Sequence, residues 1–266
     1  MSDGASRLLR RSLSGVTLIL ATLVGIAAFL YPFVVVPRQG DHSSMTRMAD
    51  APLTFLILLG LCLIVVVANL ETRQMNSKIV AVLGVLIAIN SVLRLIPGFA
   101  GFTAMLFLPI LCGYAYGADF GFLLGALSML VSAIVTGGLG PWLPYQMLSA
   151  GWMGMASAWL PQLRRFRRGE VVLLGLWGAV LGFVFGAIMN LWFWPYIVDT
   201  AGSGVYWQPG AGLWSTVGRF AAFYVTTSLW WDIGRAGGNL VLILVLGAPV
   251  LQLLRRFRAR FQFITD

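Results

Sequence analysis

The sequence predicts an all-α integral membrane protein, and three observations lead to this prediction. Of the 266 residues, 59% are hydrophobic and 10% are charged, whereas soluble domains carry about 25% charged residues. The mean hydropathy is +0.88. The apolar residues form continuous runs close to the ~20 residues that a helix needs to cross a bilayer. Because these runs do not alternate with polar residues, they exclude a transmembrane β-barrel.

Eight apolar segments are predicted to span the membrane. In chain order they are residues 16–36, 52–70, 78–97, 102–117, 119–136, 145–161, 171–195 and 236–254. The first segment follows a basic stretch, but it is too long for the apolar core of a signal peptide and no small-residue cleavage site follows it. We therefore expect a retained helix. Asp119 and Glu170 begin two of the spans, where a carboxylate favours the helix dipole.

A ninth stretch, residues 213–231, differs from the eight spans because its polar residues recur at three- and four-residue steps. These are Ser215, Thr216, Arg219, Thr226 and Thr227. This pattern predicts a helix that lies in the membrane interface or closes over a cavity. A true span is the competing interpretation.

The arginines predict the orientation of the chain. With eight spans and an internal N-terminus, the outer loops hold only Arg38 and Arg47, while Arg94, Arg219 and Arg235 lie near membrane depth. The inner segments hold Arg7, Arg10, Arg11, Arg73, Lys78, Arg164, Arg165, Arg167, Arg168, Arg255, Arg256, Arg258 and Arg260. Because basic residues favour the cytoplasmic side, both termini are predicted to be inside. A ninth span would place the basic C-terminal tail outside.

The sequence offers little catalytic chemistry. Its one histidine, His42, lies in a predicted outer loop, and Cys62 and Cys112 fall inside apolar stretches. Neither a metal site nor a nucleophilic triad is indicated. The only lysine, Lys78, is not part of a phosphate-binding loop, so the chain is predicted not to bind ATP by that device. Only Asp232 lies near membrane depth, with Arg235 as its natural partner, so an ion-driven transporter is weakly supported.

The outer connection between the fifth and sixth spans, residues 136–147, is dense in Gly and Pro. A fixed non-helical loop at membrane depth is tolerated where it lines a cavity, and Trp142, Tyr145, Gln146 and Met147 would then face that cavity. A tight turn with an interfacial tryptophan is the alternative.

Further polar and aromatic residues are predicted at the same outer side. Asn90 and Arg94 share one helix face, where Arg94 either snorkels to the interface or binds an anion or amide. Asn190 and Trp194 lie near the outer end of the seventh span. The other tryptophans predicted on this side are Trp192, Trp207, Trp214 and Trp231. They either form an aromatic belt or surround a large flat ligand.

Small residues on the third span, Ala81, Gly84 and Ala88, allow another helix to approach closely. That helix belongs either to the same chain or to a separate subunit.

Two strings resemble the substrate-binding S-components of energy-coupling factor (ECF) vitamin transporters. Residues 140–147, Gly-Pro-Trp-Leu-Pro-Tyr-Gln-Met, are similar to a Gly-Pro-Trp-Thr-Pro-aromatic-Gln-Met run of one branch. Residues 228–239, which include Asp232, Arg235 and Asn239, are similar to a Trp-Asp-Leu-Gly-Arg-Ala-x-Gly-Asn run before the last helix. Leu143 replaces a threonine, which removes one possible hydrogen bond to a ligand.

The resemblance implies a six-helix substrate-binding core over residues 78–266, preceded by a two-helix membrane extension over residues 1–77. It implies a prokaryotic plasma-membrane subunit, not an enzyme, which works with a transmembrane coupling subunit and two ATPases that hydrolyse the ATP. The chain itself would bind no cofactor. Family members contact the coupling subunit through an Ala-x-x-x-Ala face, for which this chain has Gly84 and Ala88.

The closest-looking branch includes proteins assigned to cobalamin-like compounds, so cobalamin-class uptake is the substrate hypothesis. Riboflavin, thiamine, queuosine precursors and lipid-like cofactors are alternatives. A lipid-modifying enzyme that uses Asp232, Arg235 and Asn239, or a membrane scaffold, are the rival functions.

Overall fold

A computed structural model describes residues 3–34, 53, 56–57, 59–60, 64, 77–163, 165–197 and 204–262. These residues form α-helices without any strand. The helices are α1 (Asp3–Val34), α2 (Ser77–Leu95), α3 (Phe107–Tyr116), α4 (Ala118–Thr136), α5 (Leu143–Ser157), α6 (Arg167–Phe193), α7 (Leu213–Thr227) and α8 (Leu229–Gln262). Short 3₁₀ turns occupy Phe99–Gly101, Ala104–Leu106 and Trp194–Tyr196.

Five helices in the described part of the chain are long and apolar enough to cross a membrane, namely α1, α2, α4, α6 and α8. The all-helical membrane class is thereby confirmed. The predicted spans 102–117 and 145–161 correspond to α3 and α5, which have only 10 and 15 helical residues. The predicted span 52–70 lies mostly outside the described residues. The count of eight spans and the positions of the termini therefore stay predictions.

The predicted span 102–117 begins later than the sequence suggests. Ala100 and Gly101 adopt positive φ angles of 51° and 71°, and Thr103 is extended. A helix cannot run through these conformations, so the continuous helix begins at Phe107. The chain from α2 to α3 thus forms an irregular connection at one end of the bundle.

The core is built on α4 and α5, whose backbones touch. A Cβ atom built on Gly154 would overlap the carbonyl oxygen of Gly121, and one on Gly125 would overlap that of Ala150. Only glycine permits such an approach, because any side chain would separate the two helices. The facing surfaces of α3, α4 and α5 are almost entirely buried.

The C-terminal region corrects two predicted boundaries. The stretch 213–231 is not one helix, because Ser228 leaves helical geometry (φ −127°, ψ −23°) between α7 and α8. The last helix begins at Leu229 and not near Ala236. Asp232 and Arg235 therefore lie in its first turns, whereas the sequence placed them before the final span.

One end of the bundle is basic and contains a buried ion pair. Arg255 near the end of α8 donates two hydrogen bonds to Glu170 in the first turn of α6, over 2.6 and 2.9 Å. The Tyr114 hydroxyl of α3 donates to the same carboxylate over 2.7 Å, and Arg258 donates to the carbonyl oxygen of Ala115. The sequence placed Glu170 at a helix start but missed that it joins three helices.

Candidate functional site

A cavity of about 380 Å³ opens at the end of the bundle opposite the Glu170–Arg255 pair. Its wall comes from the end of α2, the irregular connection, the end of α4, the start of α5, the second half of α6 and the start of α8. The lining residues are Arg94, Leu95, Gly101, Thr103, Met105, Ser132, Thr136, Gln146, Phe185 and Arg235. Three of these, Arg94, Gln146 and Arg235, were predicted as site residues from the sequence.

Arg94 lies on the cavity wall with neutral partners. Its Nη1 donates to the Ser132 hydroxyl over 2.9 Å, and its Nη2 donates to Oε1 of Gln146 over 3.2 Å. A guanidinium carries five N–H donors in a planar fork, so these two bonds leave donors for a further acceptor. Of the residues that the structure describes, those that line the cavity include neither Asp nor Glu.

Arg235 also lines the cavity, and its charge is neutralised. Its Nη1 forms a salt bridge to Oδ1 of Asp232, which is 1% exposed, so the predicted pairing of these two residues is confirmed. Its guanidinium carbon lies 5.2 Å from the centre of the Phe185 ring. The Tyr224 hydroxyl donates to Oδ2 of Asp232 over 2.7 Å. Burial and this hydrogen bond raise the pKa of the Tyr224 phenol above its ordinary value, so it remains protonated.

The position of Asp232 depends on a glycine of the neighbouring helix. A Cβ atom built on Gly186 would overlap the Asp232 carboxylate. α6 thus provides the space that this carboxylate needs in order to face Arg235. Asp232 itself does not line the cavity.

The three predicted asparagines lie near this end but do not line the cavity. Asn90 is fully buried and donates to the carbonyl oxygen of Met105 over 3.0 Å. Asn190 joins α6 to the residue between α7 and α8, since its Oδ1 accepts a hydrogen bond from the Ser228 hydroxyl over 2.8 Å. Asn239 donates to the carbonyl oxygen of Gly178 over 3.1 Å. The Oδ1 atoms of Asn90 and Asn239 are buried without a hydrogen-bond partner in the described structure.

Among the described residues that line this cavity, Phe185 is the one aromatic side chain, so the predicted aromatic wall is not found there. Trp142 is 40% exposed and does not line it. Tyr145 packs edge-on against Phe29 of α1, with ring centres 5.0 Å apart. Trp194 is 1% exposed and contacts Phe220, with ring centres 5.2 Å apart. Several aromatic rings thus pack against one another between α1, α5, α6 and α7.

The sequence missed Thr103, Ser132, Thr136 and Phe185 as cavity residues. Ser132 and Thr136 are four residues apart and share one face of α4, which is the available sequence signal. The described residues contain no group of three or more His, Cys, Asp or Glu side chains that could hold a metal ion. His42 lies outside the described residues. The described lining residues offer the N–H donors of two arginines, hydroxyl groups and one amide to a ligand.

The small-residue face of α2 is exposed in the described structure. Ala81, Gly84 and Ala88 are all exposed, and a Cβ atom built on Gly84 meets no heavy atom within 4 Å. Close packing of this face inside the described part of the chain, one of the two alternatives drawn from the sequence, is not found.

Comparison with known proteins gives one family. No curated protein and no solved structure matches this chain. The model of the family described as "ECF transporter, substrate-specific component" matches residues 78–247. Proteins of this family are membrane-embedded components of transporters that work with a membrane coupling subunit and ATPases. The match covers more than half of the chain, and the chain belongs to the ECF transporter substrate-specific component family.

Proposed function

We propose that this chain captures a vitamin or related micronutrient from outside the cell in the cavity between α2, α4, α5, α6 and α8. It delivers the nutrient inward together with a transmembrane coupling subunit and two ATPases. The observation that supports this proposal most strongly is a polar-lined cavity of about 380 Å³ in a member of a transporter-component family. Its volume lies within the 300–1,000 Å³ range of small-molecule sites.

The orientation supports capture from outside. The cavity lies at the end opposite the basic end, where Arg165 precedes α6, Arg167 and Arg168 begin it, and Arg255 to Arg260 lie near the end of α8. Basic residues favour the cytoplasmic side, so the cavity faces outward in this proposal.

The exposed face of α2 supports association with the coupling subunit. Ala81, Gly84 and Ala88 leave the helix backbone accessible along one stripe, which suits close packing with another membrane helix. We assign this stripe as the contact with the coupling subunit.

The ligand is a compact micronutrient. Cobalamin, the substrate hypothesis drawn from the sequence, has a corrin ring with a nucleotide loop and is larger than the cavity. Its binding would require the residues around the cavity to move apart. The volume therefore supports a smaller ligand better than a cobalamin-class compound.

The test is purification in a mild uncharged detergent, followed by mass and visible absorption analysis of the molecules that co-purify. A Thr136→Trp variant would fill the cavity from an exposed lining position, and Val135→Trp is its matched control on the neighbouring face. We expect a micronutrient on the wild type and on Val135→Trp, and none on Thr136→Trp. Equal retention by all three proteins, or no bound molecule on any, would contradict the proposal.

The same preparation tests the rival functions and the substrate hypothesis. Turnover of a lipid by the purified chain alone would indicate an enzyme, and a chain that binds no micronutrient would indicate a scaffold. A cobalt-containing extract with corrinoid absorption would establish a cobalamin-class ligand.

A further inference from the structure

The two arginines on the cavity wall differ in their charge balance. Arg235 faces the Asp232 carboxylate, so that pair contributes no net charge. Among the described residues, Arg94 donates to the Ser132 hydroxyl and the Gln146 amide, and those that line the cavity include no carboxylate. One uncompensated positive charge therefore faces the cavity in the described structure.

Neutral hydrogen-bond partners do not balance the charge of a guanidinium. A guanidinium near membrane depth is costly unless it is paired or reaches the interface. Here the hydrogen bonds to Ser132 and Gln146 hold the Arg94 fork at the wall of the cavity, on α4 and α5 respectively. A side chain held in this way by two other helices is not free to extend to the lipid interface.

The unused donors of Arg94 define the chemistry of a suitable ligand. Two parallel N–H groups of a guanidinium match the two oxygens of a carboxylate or phosphate, and such charge-assisted bonds are about twice as strong as neutral ones. Thr103 adds a hydroxyl group to the lining, whereas the Thr136 hydroxyl already donates to the carbonyl oxygen of Ser132 over 2.8 Å.

We infer that the cavity binds its ligand through an anionic group, a carboxylate or phosphate, which pairs with Arg94. Arg235, which also lines the cavity and is neutralised by Asp232, faces the rest of the ligand. This inference rests on the proposed function and specifies the ligand class, since the sequence left open whether Arg94 reaches the interface or binds an anion or amide.

The test follows the melting temperature of the purified full-length chain in an uncharged detergent at constant ionic strength. The probes are benzoate, its neutral counterpart benzamide, and inorganic phosphate. We expect benzoate or phosphate to raise the melting temperature of the wild type in a saturable manner and benzamide to have no comparable effect. Arg94→Gln should abolish this response, and Arg94→Lys, which keeps the charge but loses the fork, should weaken apparent affinity about tenfold or more. Arg256→Gln, at an exposed arginine of the basic end, should respond like the wild type.

Two results would overturn the inference. One is an equal response of the wild type and Arg94→Gln to both anions, and the other is no response of the wild type to either anion. The melting temperatures without probe show whether Arg94→Gln folds, and Arg94→Lys provides a second variant if it does not.

A lipid headgroup could supply the same chemistry, so a further arm uses short-chain phosphatidylglycerol and phosphatidylcholine. Stabilisation by phosphatidylglycerol alone, without a response to benzoate or phosphate, would assign Arg94 to the membrane surface and overturn its role in nutrient binding.

A failure of the proposed function can be distinguished from a failure of this inference. A neutral co-purified nutrient that Arg94→Gln retains would leave the function standing and refute the anionic ligand. An Arg94-dependent anion response in a chain that binds no nutrient would support anion binding and refute the proposed function.

Discussion

Two clusters of the same composition lie near opposite ends of α8. Each contains a carboxylate, an arginine and a tyrosine, and Asp232 and Arg255 are separated by about 35 Å along the helix at 1.5 Å per residue. At the basic end, Glu170, Arg255 and Tyr114 come from three different helices. At the cavity end, Asp232 and Arg235 are three residues apart on one helix, and Tyr224 comes from the helix before it.

The difference lies in what each arginine faces. Arg255 uses both terminal nitrogens on the Glu170 carboxylate, so the cluster joins distant parts of the chain. Arg235 forms a local pair and presents its guanidinium to a cavity. The same three residue types therefore hold helices together at one end, whereas at the other the arginine lines a cavity together with the uncompensated Arg94. Four substitutions test this contrast, in order of decreasing expected effect.

The largest effect is expected for Arg255→Met, because it leaves the buried Glu170 carboxylate without its cation. Breaking a buried pair in this way costs about 3 kcal/mol or more, which corresponds to a fall in melting temperature of roughly 6–12 °C. Thermal unfolding in detergent measures it. Glu170→Gln should cost less, because Arg255 is 27% exposed and can reach water. Arg256→Met is the control, and a similar loss for it would remove the distinction between these arginines.

A smaller loss is expected for Asp232→Asn, about 2 kcal/mol, because the cavity lets water reach Arg235 once its carboxylate is removed. The same substitution adds a second positive charge to the wall. We therefore expect benzoate or phosphate to bind more tightly than to the wild type, measured as the midpoint of the melting-temperature titration. An unchanged midpoint would show that the Arg235 charge does not reach the cavity.

Arg94→Gln should change stability by less than about 1 kcal/mol in the absence of an anion, since it removes a charge that has no carboxylate partner in the described structure. This substitution should lower the affinity for an anion and leave the free energy of unfolding nearly unchanged. The measurement is the melting temperature without probe, beside that of Arg255→Met. A loss as large as that of Arg255→Met would make Arg94 structural.

The smallest effect is expected for Trp142→Ala. The sequence predicted this side chain as part of the binding site, but it is 40% exposed and lies outside the cavity lining. The midpoint of the anion titration should stay within about twofold of the wild type, since no contact with the cavity is lost. A strong loss of binding would restore the original assignment of Trp142 to the site.

Much of the architecture could be predicted from the sequence because a bilayer imposes simple rules on composition and length. The continuous apolar runs predicted membrane helices, and five helices of sufficient length confirm that class. The boundaries were less accurate where the backbone departs from a helix without a clear signal. Ala100 takes a left-handed conformation that alanine rarely adopts, and nothing in the sequence marks the break at Ser228.

The candidate site, like the fold, could be predicted from the sequence only in part. Asn90 and Arg94 share a helix face by periodicity, and Asp232 and Arg235 are neighbours on a helix turn, so local spacing was enough to relate the members of each pair. Whether Tyr145 or Gln146 faces the cavity depends on how α5 is rotated against its neighbours. Local spacing does not decide that rotation, and the structure shows Gln146 on the wall and Tyr145 against α1.

The sequence by itself determined that this chain resides in a membrane, that it resembles a family of transporter components, and that arginines lie near membrane depth. The tertiary structure alone decided that Glu170 meets Arg255 across 85 residues and that Arg94 reaches a cavity whose described lining residues include no carboxylate. The physical reason is the distance along the chain over which each effect acts. Hydropathy and helix periodicity act within one segment, whereas charge compensation depends on side chains that only helix packing brings together.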